Sequence, residues 1–346
     1  MRPLHTVHSV HRMDTIHAVH SQWSFSVKLR SLMLVALLCS PWSFAVAQYP
    51  TKPIRVVVPY GAGTSTDLLA RAVGEPLSKA LGQQILVDNR PGANSTIGTE
   101  IVARSPNDGY TLLFGTNAGL AASPAGLWRA IGYDPIKDFA PITLVASIYH
   151  VLVINPSLPA QNLPQLISLL KANPGKYNYG SANTAGFAYM EVFKKVTGLN
   201  VVNVPYKSSP QATTDLIGGR IHMMFIDPAT GVPRIRAGQL RAVASVIRRS
   251  PLLPDVPTFA ESGVDGIVDA SGWYAFYAPA GTPRTIIERL HREVGVILKT
   301  PATRDRLVNT GYNVIGSTPG ELESYTRKQI EFWSKLIRDL GIEPAG

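Results

Sequence analysis

Cysteine is almost missing from this chain: Cys39 is the only one in 346 residues. It lies inside an apolar leader, so the chain beyond residue 47 has no disulfide, no thiol nucleophile and no thiolate metal site. Lysine is absent from the glycine-bearing loop Gly61-Ala62-Gly63-Thr64-Ser65-Thr66-Asp67, which excludes a Walker phosphate loop. That loop also lacks the third glycine of a dinucleotide fingerprint. Where the nucleophile elbow G-x-S-x-G has its last glycine, Asp67 stands instead. No apolar run after the leader approaches the roughly 20 residues of a membrane-spanning helix. Beyond residue 47 histidine is scarce as well. His150, His222 and His291 are scattered and share no metal-ligand spacing.

The leader itself is rich in signal. Lys28 and Arg30 precede the short apolar run Leu32–Leu38, and Ala45-Val46-Ala47 has the small-x-small pattern of a cleavage site. A secretory signal peptide over residues 1–47 is expected, with cleavage after Ala47 and export to the periplasm. Leu38, not a small residue, precedes Cys39, which argues against lipid attachment. His5, His8, His11, His17 and His20 make a histidine-rich start. A metal tract is one reading. The favoured one is an over-long leader or an early start codon, with Met13 and Met33 downstream. Residues 1–47 hold four of the 33 basic and one of the 23 acidic residues, so the exported chain carries +7. A mild positive field suits small anions, and export makes nucleic acid an unsuitable partner.

The chain is organised around Pro53–Gly74. The apolar run Ile54–Val58 reads as a strand, the loop Tyr60–Asp67 follows, and Leu68, Leu69, Ala72 and Val73 recur at helical spacing, with Ser65 or Thr66 as cap. A strand-to-helix junction of this kind leaves backbone N–H groups unpaired at a positive helix end, where open α/β sheets bind ligands. A carboxylate site is one reading of the loop. A connection whose hydroxyls only cap the helix is the other.

Downstream, strands alternate with helices. Gln84–Asp88 and Tyr110–Gly115 read as strands, and Thr116 and Asn117 follow the second. The β-branched run Ile142–Ile154 forms one strand or two and carries the chain into a second unit. Asn162-Leu163-Pro164 starts a helix. Tyr177–Ser181 leads through Asn183-Thr184 into another helix, and Val201–Val204 through Tyr206 into the next. Ile221–Ile226 ends at Asp227-Pro228, and the aromatic strand beginning near Ser271 reads as a return crossing. The class is α/β, with mostly parallel sheets expected.

Four stretches, PIRVVVPYGAGTSTDLLAR, VDNRPGANSTIGTEIVARSPNDGYTLLFGTN, VPYKSSPQATTDLIGGRIHMMFID and SGWYAFYAPAGTPRTIIERLHREV, resemble in this order the substrate-binding receptors of tripartite tricarboxylate transporters, the Bug family. The resemblance spans nearly all of residues 49–344. It implies an α/β type II periplasmic-binding-protein fold, two α/β domains around a ligand cleft with crossing strands. Domain 1 would comprise residues 48–148 plus 271–346, and domain 2 residues 149–270. It also implies a monomeric receptor that hands a small carboxylate (di- or tricarboxylate, amino acid or aromatic acid) to membrane permease subunits. No cofactor, metal or catalytic residue is implied. Carried over residue by residue, the anchor loop is Tyr60, Gly61, Ala62, Gly63, Thr64, Ser65, Thr66 and Asp67, departing from the family's Pro-Pro-Gly-Gly type. Facing contacts would come from Thr116, Asn117, Ser181, Asn183, Thr184, Tyr206 and Asp227. Asp227 would either accept from a ligand ammonium or cap the helix after it. Phe187, less typical at its position, would enlarge the apolar share of the pocket.

Two other functions compete. A secreted hydrolase using Ser65 would need a histidine base beside it. A periplasmic sensor would share the fold and feed a signalling pathway instead of a permease.

Overall fold

The computed structural model describes residues 49–128 and 131–344. Residues 1–47, where a leader, its cleavage site and a histidine tract are expected, lie outside the described residues. Among the described residues no helix is long and apolar enough to cross a membrane.

Strand β1 (Ile54–Val58) pairs in parallel with β2 (Ile85–Asn89) and β3 (Thr111–Thr116). Val56, Val57 and Val58 are wholly buried, because a strand covered on both faces needs an unbroken apolar run. Helix α1 (Ser65–Leu81) returns antiparallel to β1 and buries Leu69, Val73 and Leu77, one face at helical spacing. Its cap is Thr64, one residue before the expected position: the Thr64 side chain accepts from Asp67 N. Pro76 sits inside α1 without dividing it. Helix α2 (Thr96–Ala103) joins β2 to β3.

A helical segment at Ala118–Leu127, wider than an α-helix, follows β3 and had no signal in the sequence. Its alanines and glycines carry no amphipathic period, and it is nearly all buried. The long apolar run then resolves into β4 (Phe139–Ile148) and β5 (Val151–Ile154), which belong to different sheets.

Around β5 come α3 (Leu163–Ala172), β6 (Asn178–Ser181), α4 (Thr184–Thr197), β7 (Val202–Pro205), α5 (Ser209–Ile217), β8 (Met223–Ile226), α6 (Pro228–Arg236) and β9 (Arg241–Ser245). Strand β10 (Gly272–Pro279) returns to the first sheet. It is followed by α7 (Arg284–Lys299), α8 (Pro301–Val308), β11 (Tyr312–Val314) and α9 (Pro319–Leu340), which opens on a Thr318/Glu321 capping box.

The result is a six-stranded sheet, β11-β4-β10-β3-β1-β2, and a five-stranded sheet, β7-β6-β8-β5-β9. The expectation of mostly parallel sheets needs correction. Only β1 with β2 and β3, and β6 with β7 and β8, pair in parallel; β4, β5 and β10 pair antiparallel with all their neighbours. The reason is topological. Strands that cross from one sheet to the other enter against the direction of the local strand-helix-strand units. The two crossings, Ile148 to Val151 and the return at Ser271-Gly272, meet: a Cβ on Gly272 would lie 3.2 Å from Ile148 and 3.8 Å from His150.

Candidate functional site

Four helices begin at one cavity. The residues capping α1, α4, α5 and α6 are Thr64, Asn183, Ser208 and Asp227, and all four line a cavity of about 40 Å3 between the two sheets. Each helix start leaves first-turn N–H groups without intrahelical acceptors and carries partial positive charge. Convergence of four such ends makes the pocket electropositive, and among the described residues no lysine or arginine lines it. The strand-loop-helix units bring this about: each parallel strand ends at the cleft, and the helix that follows starts there.

Buried polar side chains with unpartnered atoms line the same space. Asn117, at the end of β3, is 5% exposed, and its Nδ2 has no partner among the described residues. His150, at the first crossing, is 3% exposed with Nδ1 unpartnered. Burial lowers the His150 pKa to about 4, against a smaller opposing influence from Asn183, so its imidazole is neutral at physiological pH. The hydroxyls of Tyr60 and Thr116 share a 3.3 Å hydrogen bond. Buried polar groups without partners are costly, and a site that keeps two of them, one of them the Asn117 amide donor, is built for a group that arrives.

Asp227 is 2% exposed, and its Oδ1 accepts from Thr230 N at 3.0 Å, capping α6. Burial raises its pKa, and hydrogen bonds from Thr230 and Ser65 only partly offset that. Ser65 therefore joins the two halves of the molecule. Its hydroxyl meets Tyr274 Oη at 3.2 Å as well as Asp227, and its carbonyl accepts from Tyr312 Oη at 2.7 Å. Although His150 lines the same cavity, the hydroxyl partners of Ser65 are a tyrosine and a carboxyl, not an imidazole. A hydrolytic Ser-His pair is not formed.

The cavity opens into a groove of about 770 Å3 whose walls are largely apolar, with Pro59, Trp128 and Phe187 among them. Tyr60, Ala182, Asn183, Thr184 and Ser208 line both spaces, so the groove is the mouth of the cavity. Across this mouth Thr184 Oγ1 donates to Asn94 Oδ1 at 2.9 Å.

Of the residues singled out in the sequence, Tyr60, Thr64, Ser65, Thr66, Thr116, Asn117, Asn183, Thr184 and Asp227 meet at the inner cavity. Gly61, Ser181 and Tyr206 line only the outer groove, where Tyr206 Oη is engaged by Asp215 Oδ2 at 2.8 Å. Ala62, Gly63 and Asp67 line neither space. Gly63 N is spent on Asp67 Oδ2 at 2.9 Å, and Asp67 also binds Arg71 and Asn89. Burial alone would raise the Asp67 pKa, but Arg71, the Gly63 N–H and Asn89 hold it below the ordinary value. Asp67 thus fastens the loop from behind.

His150, Ser208, Ser209 and Gly272 were missed as a group, whereas Tyr274, for which the sequence left cleft lining and core packing equally open, lines the cavity. For His150 one signal existed: it is the polar break inside the apolar run Ile142–Ile154, and that break is the crossing between sheets. Trp273, by contrast, is core, wholly buried beside its cavity-lining neighbour Tyr274.

Residues 69–342 match the family model of the tripartite tricarboxylate transporter family receptor. The chain belongs to this family. This receptor is 35% identical over 296 residues to BugT of Bordetella pertussis, covering 85% of this chain and 90% of BugT. A solved Rhodopseudomonas palustris protein with adipate is 33% identical, with a TM-score of 0.83 over 86% of this chain and 100% of that one. MatC of the same organism, with bound malate, is 28% identical, with a TM-score of 0.78 over 84% of this chain and 100% of MatC. The receptor accordingly has the two-domain periplasmic binding fold, and it is a solute-binding protein, not an enzyme.

Proposed function

We propose that this receptor captures a small carboxylate between its two sheets and delivers it to the permease subunits of a tripartite tricarboxylate transporter. The observation that carries this reading is the meeting of four helix starts, with the unpartnered Asn117 amide, at one cavity that no lysine or arginine among the described residues lines. A carboxylate accepts from converging N–H and hydroxyl donors in a dry site far more strongly than in water. The binding of adipate and malate by relatives of the same fold points to the same class.

The inner cavity, at about 40 Å3, has room for little more than a carboxylate head or bridging water, and the body of the ligand lies in the 770 Å3 groove. Tyr60, Ser65, Thr66, Asn117, Asn183 and Thr184 hold the head. Residues 48–148 with 271–346 form one domain and 149–270 the other, hinged at the two crossings. Residues 1–47 direct export to the periplasm, and the receptor acts as a monomer.

The test is a thermal-shift screen of residues 48–346 against small carboxylic acids, each paired with its amide. An acid that raises the melting temperature with concentration while its amide does not supports the reading. Equal shifts from acid and amide, or stabilisation by no acid at all, overturn it.

A further inference from the structure

The inner cavity contains an electrostatic conflict. A carboxylate held there meets a second carboxyl, that of Asp227, buried and lining the same 40 Å3 space. No lysine or arginine among the described lining residues separates the two. Like charges confined together away from water repel strongly, and buried carboxyl pairs relieve the repulsion by keeping a proton.

The groups facing Asp227 offer hydroxyls and N–H donors, not positive charge. Thr230 lies on its own helix, Ser65 on α1, Tyr274 on β10 and Tyr312 on β11. Desolvation already tilts Asp227 toward its protonated form in the empty protein. The other titratable group that can respond is His150, which lines the same cavity and is neutral there. It faces Asn183 at the cap of α4 and the Tyr189 ring at 5.5 Å, and its Nδ1 is free to take a proton. Helix-end charge eases the conflict but acts on ligand and Asp227 alike, so it does not remove their mutual repulsion.

We infer that carboxylate capture by this receptor takes up one proton from solvent, held on the Asp227 carboxyl with His150 as the second proton-accepting group of the cavity. The inference rests on the carboxylate reading above. The balance is simple: an anion and a proton enter together, and the net charge of the cavity is unchanged. Affinity then rises as pH falls, by up to about tenfold per pH unit while uptake approaches one proton. The receptor would load most readily where protons are abundant and release into a more alkaline surrounding. Asp227 thereby gains a role beyond capping α6.

The test is calorimetry of the chain from residue 48 with malate, adipate and benzoate between about pH 6.5 and 8, where these acids are ionised. Two buffers of unlike ionisation enthalpy give the protons exchanged. Uptake approaching one proton per ligand at the acid end, with affinity rising as pH falls, is expected. Asp227→Asn keeps a capping side chain. It should bind more tightly than the parent protein at pH 8 and lose most of the pH slope, and His150→Gln should lose the remainder. Binding without proton exchange, or a slope unaltered in Asp227→Asn, overturns the inference and leaves the carboxylate reading standing. So does aspartate binding more tightly than malate without proton uptake, since its ammonium would then supply the missing positive charge. Failure of all three acids with the parent protein at every pH overturns both.

Discussion

Thr184 Oγ1 donates to Asn94 Oδ1 at 2.9 Å, a single hydrogen bond that ties the start of α4 to the turn before α2 across the mouth of the cleft. The turn is unusual in itself. Ala93, Asn94 and Ser95 all lie at positive φ, 43°, 50° and 70°. Three consecutive non-glycine residues in the left-handed region store strain, and strain of this kind collects at ligand clamps and switch regions. Thr184→Val keeps the shape and removes the donor. We expect ligand affinity to fall by about five- to tenfold, as for a lost hydrogen bond worth about 1 kcal/mol. Melting temperature should change little. Titration calorimetry of parent and variant checks both; equal affinity would show that the bond plays no part in closing on ligand.

The two glycines of the anchor loop should behave differently. A Cβ on Gly61 or on Gly63 meets nothing within 4 Å, so neither substitution clashes. Gly61 lines the groove, while Gly63 lines neither space and needs φ 78°. Gly61→Asp should leave a folded protein with carboxylate affinity reduced at least tenfold by charge repulsion. Gly63→Ala should lower stability by about 1 kcal/mol and spare affinity. Denaturant unfolding and binding measured on the same preparations separate the two effects.

Asp67 makes stability sensitive to acid. Its folded pKa is depressed, so its contribution is present above the unfolded value and is lost as pH falls through the folded one. Melting temperature should therefore decline below about pH 4. In Asp67→Ala that decline should be shallower, with stability at neutral pH lower by about 2 kcal/mol because Gly63 N and Asn89 lose a buried acceptor. Thermal melts from pH 3 to 7 on both proteins provide the comparison.

Phe187, half-buried on the wall of the outer groove, should read the body of the ligand and not its head. Phe187→Ala is expected to weaken binding of acids with bulky apolar bodies by about tenfold or more, through lost apolar contact of about 1.5 kcal/mol. Acids of two to four carbons should be nearly unaffected. A uniform loss across the series would assign Phe187 to packing of α4 instead.

The anchor loop was legible because its signals are local. An apolar run, glycines beside hydroxyls and a helical period fix strand, loop and helix within about twenty residues. The same holds for Asn162, which caps its helix as its position suggests. The buried segment Ala118–Leu127 was not legible, since small residues packed on all sides leave no period to read. Nor was the fate of Asp67. A carboxylate in a ligand loop looks functional until Asn89 and Arg71 are seen to hold it from behind.

By itself, then, the sequence determined the alternation of strands and helices, the absence of any thiol after Cys39, and the family. All of these follow from composition, period and ordered motifs along the chain. Only the tertiary structure decided which helix starts share a cavity, that His150 and Asp227 face the same 40 Å3, and that no lysine or arginine among the described residues lines it with them. The reason is distance along the chain. Ser65, Asn117, His150, Asn183 and Asp227 meet through two crossings between sheets, and the charge balance of a buried site depends on which groups meet there, not on how each one reads in its own segment.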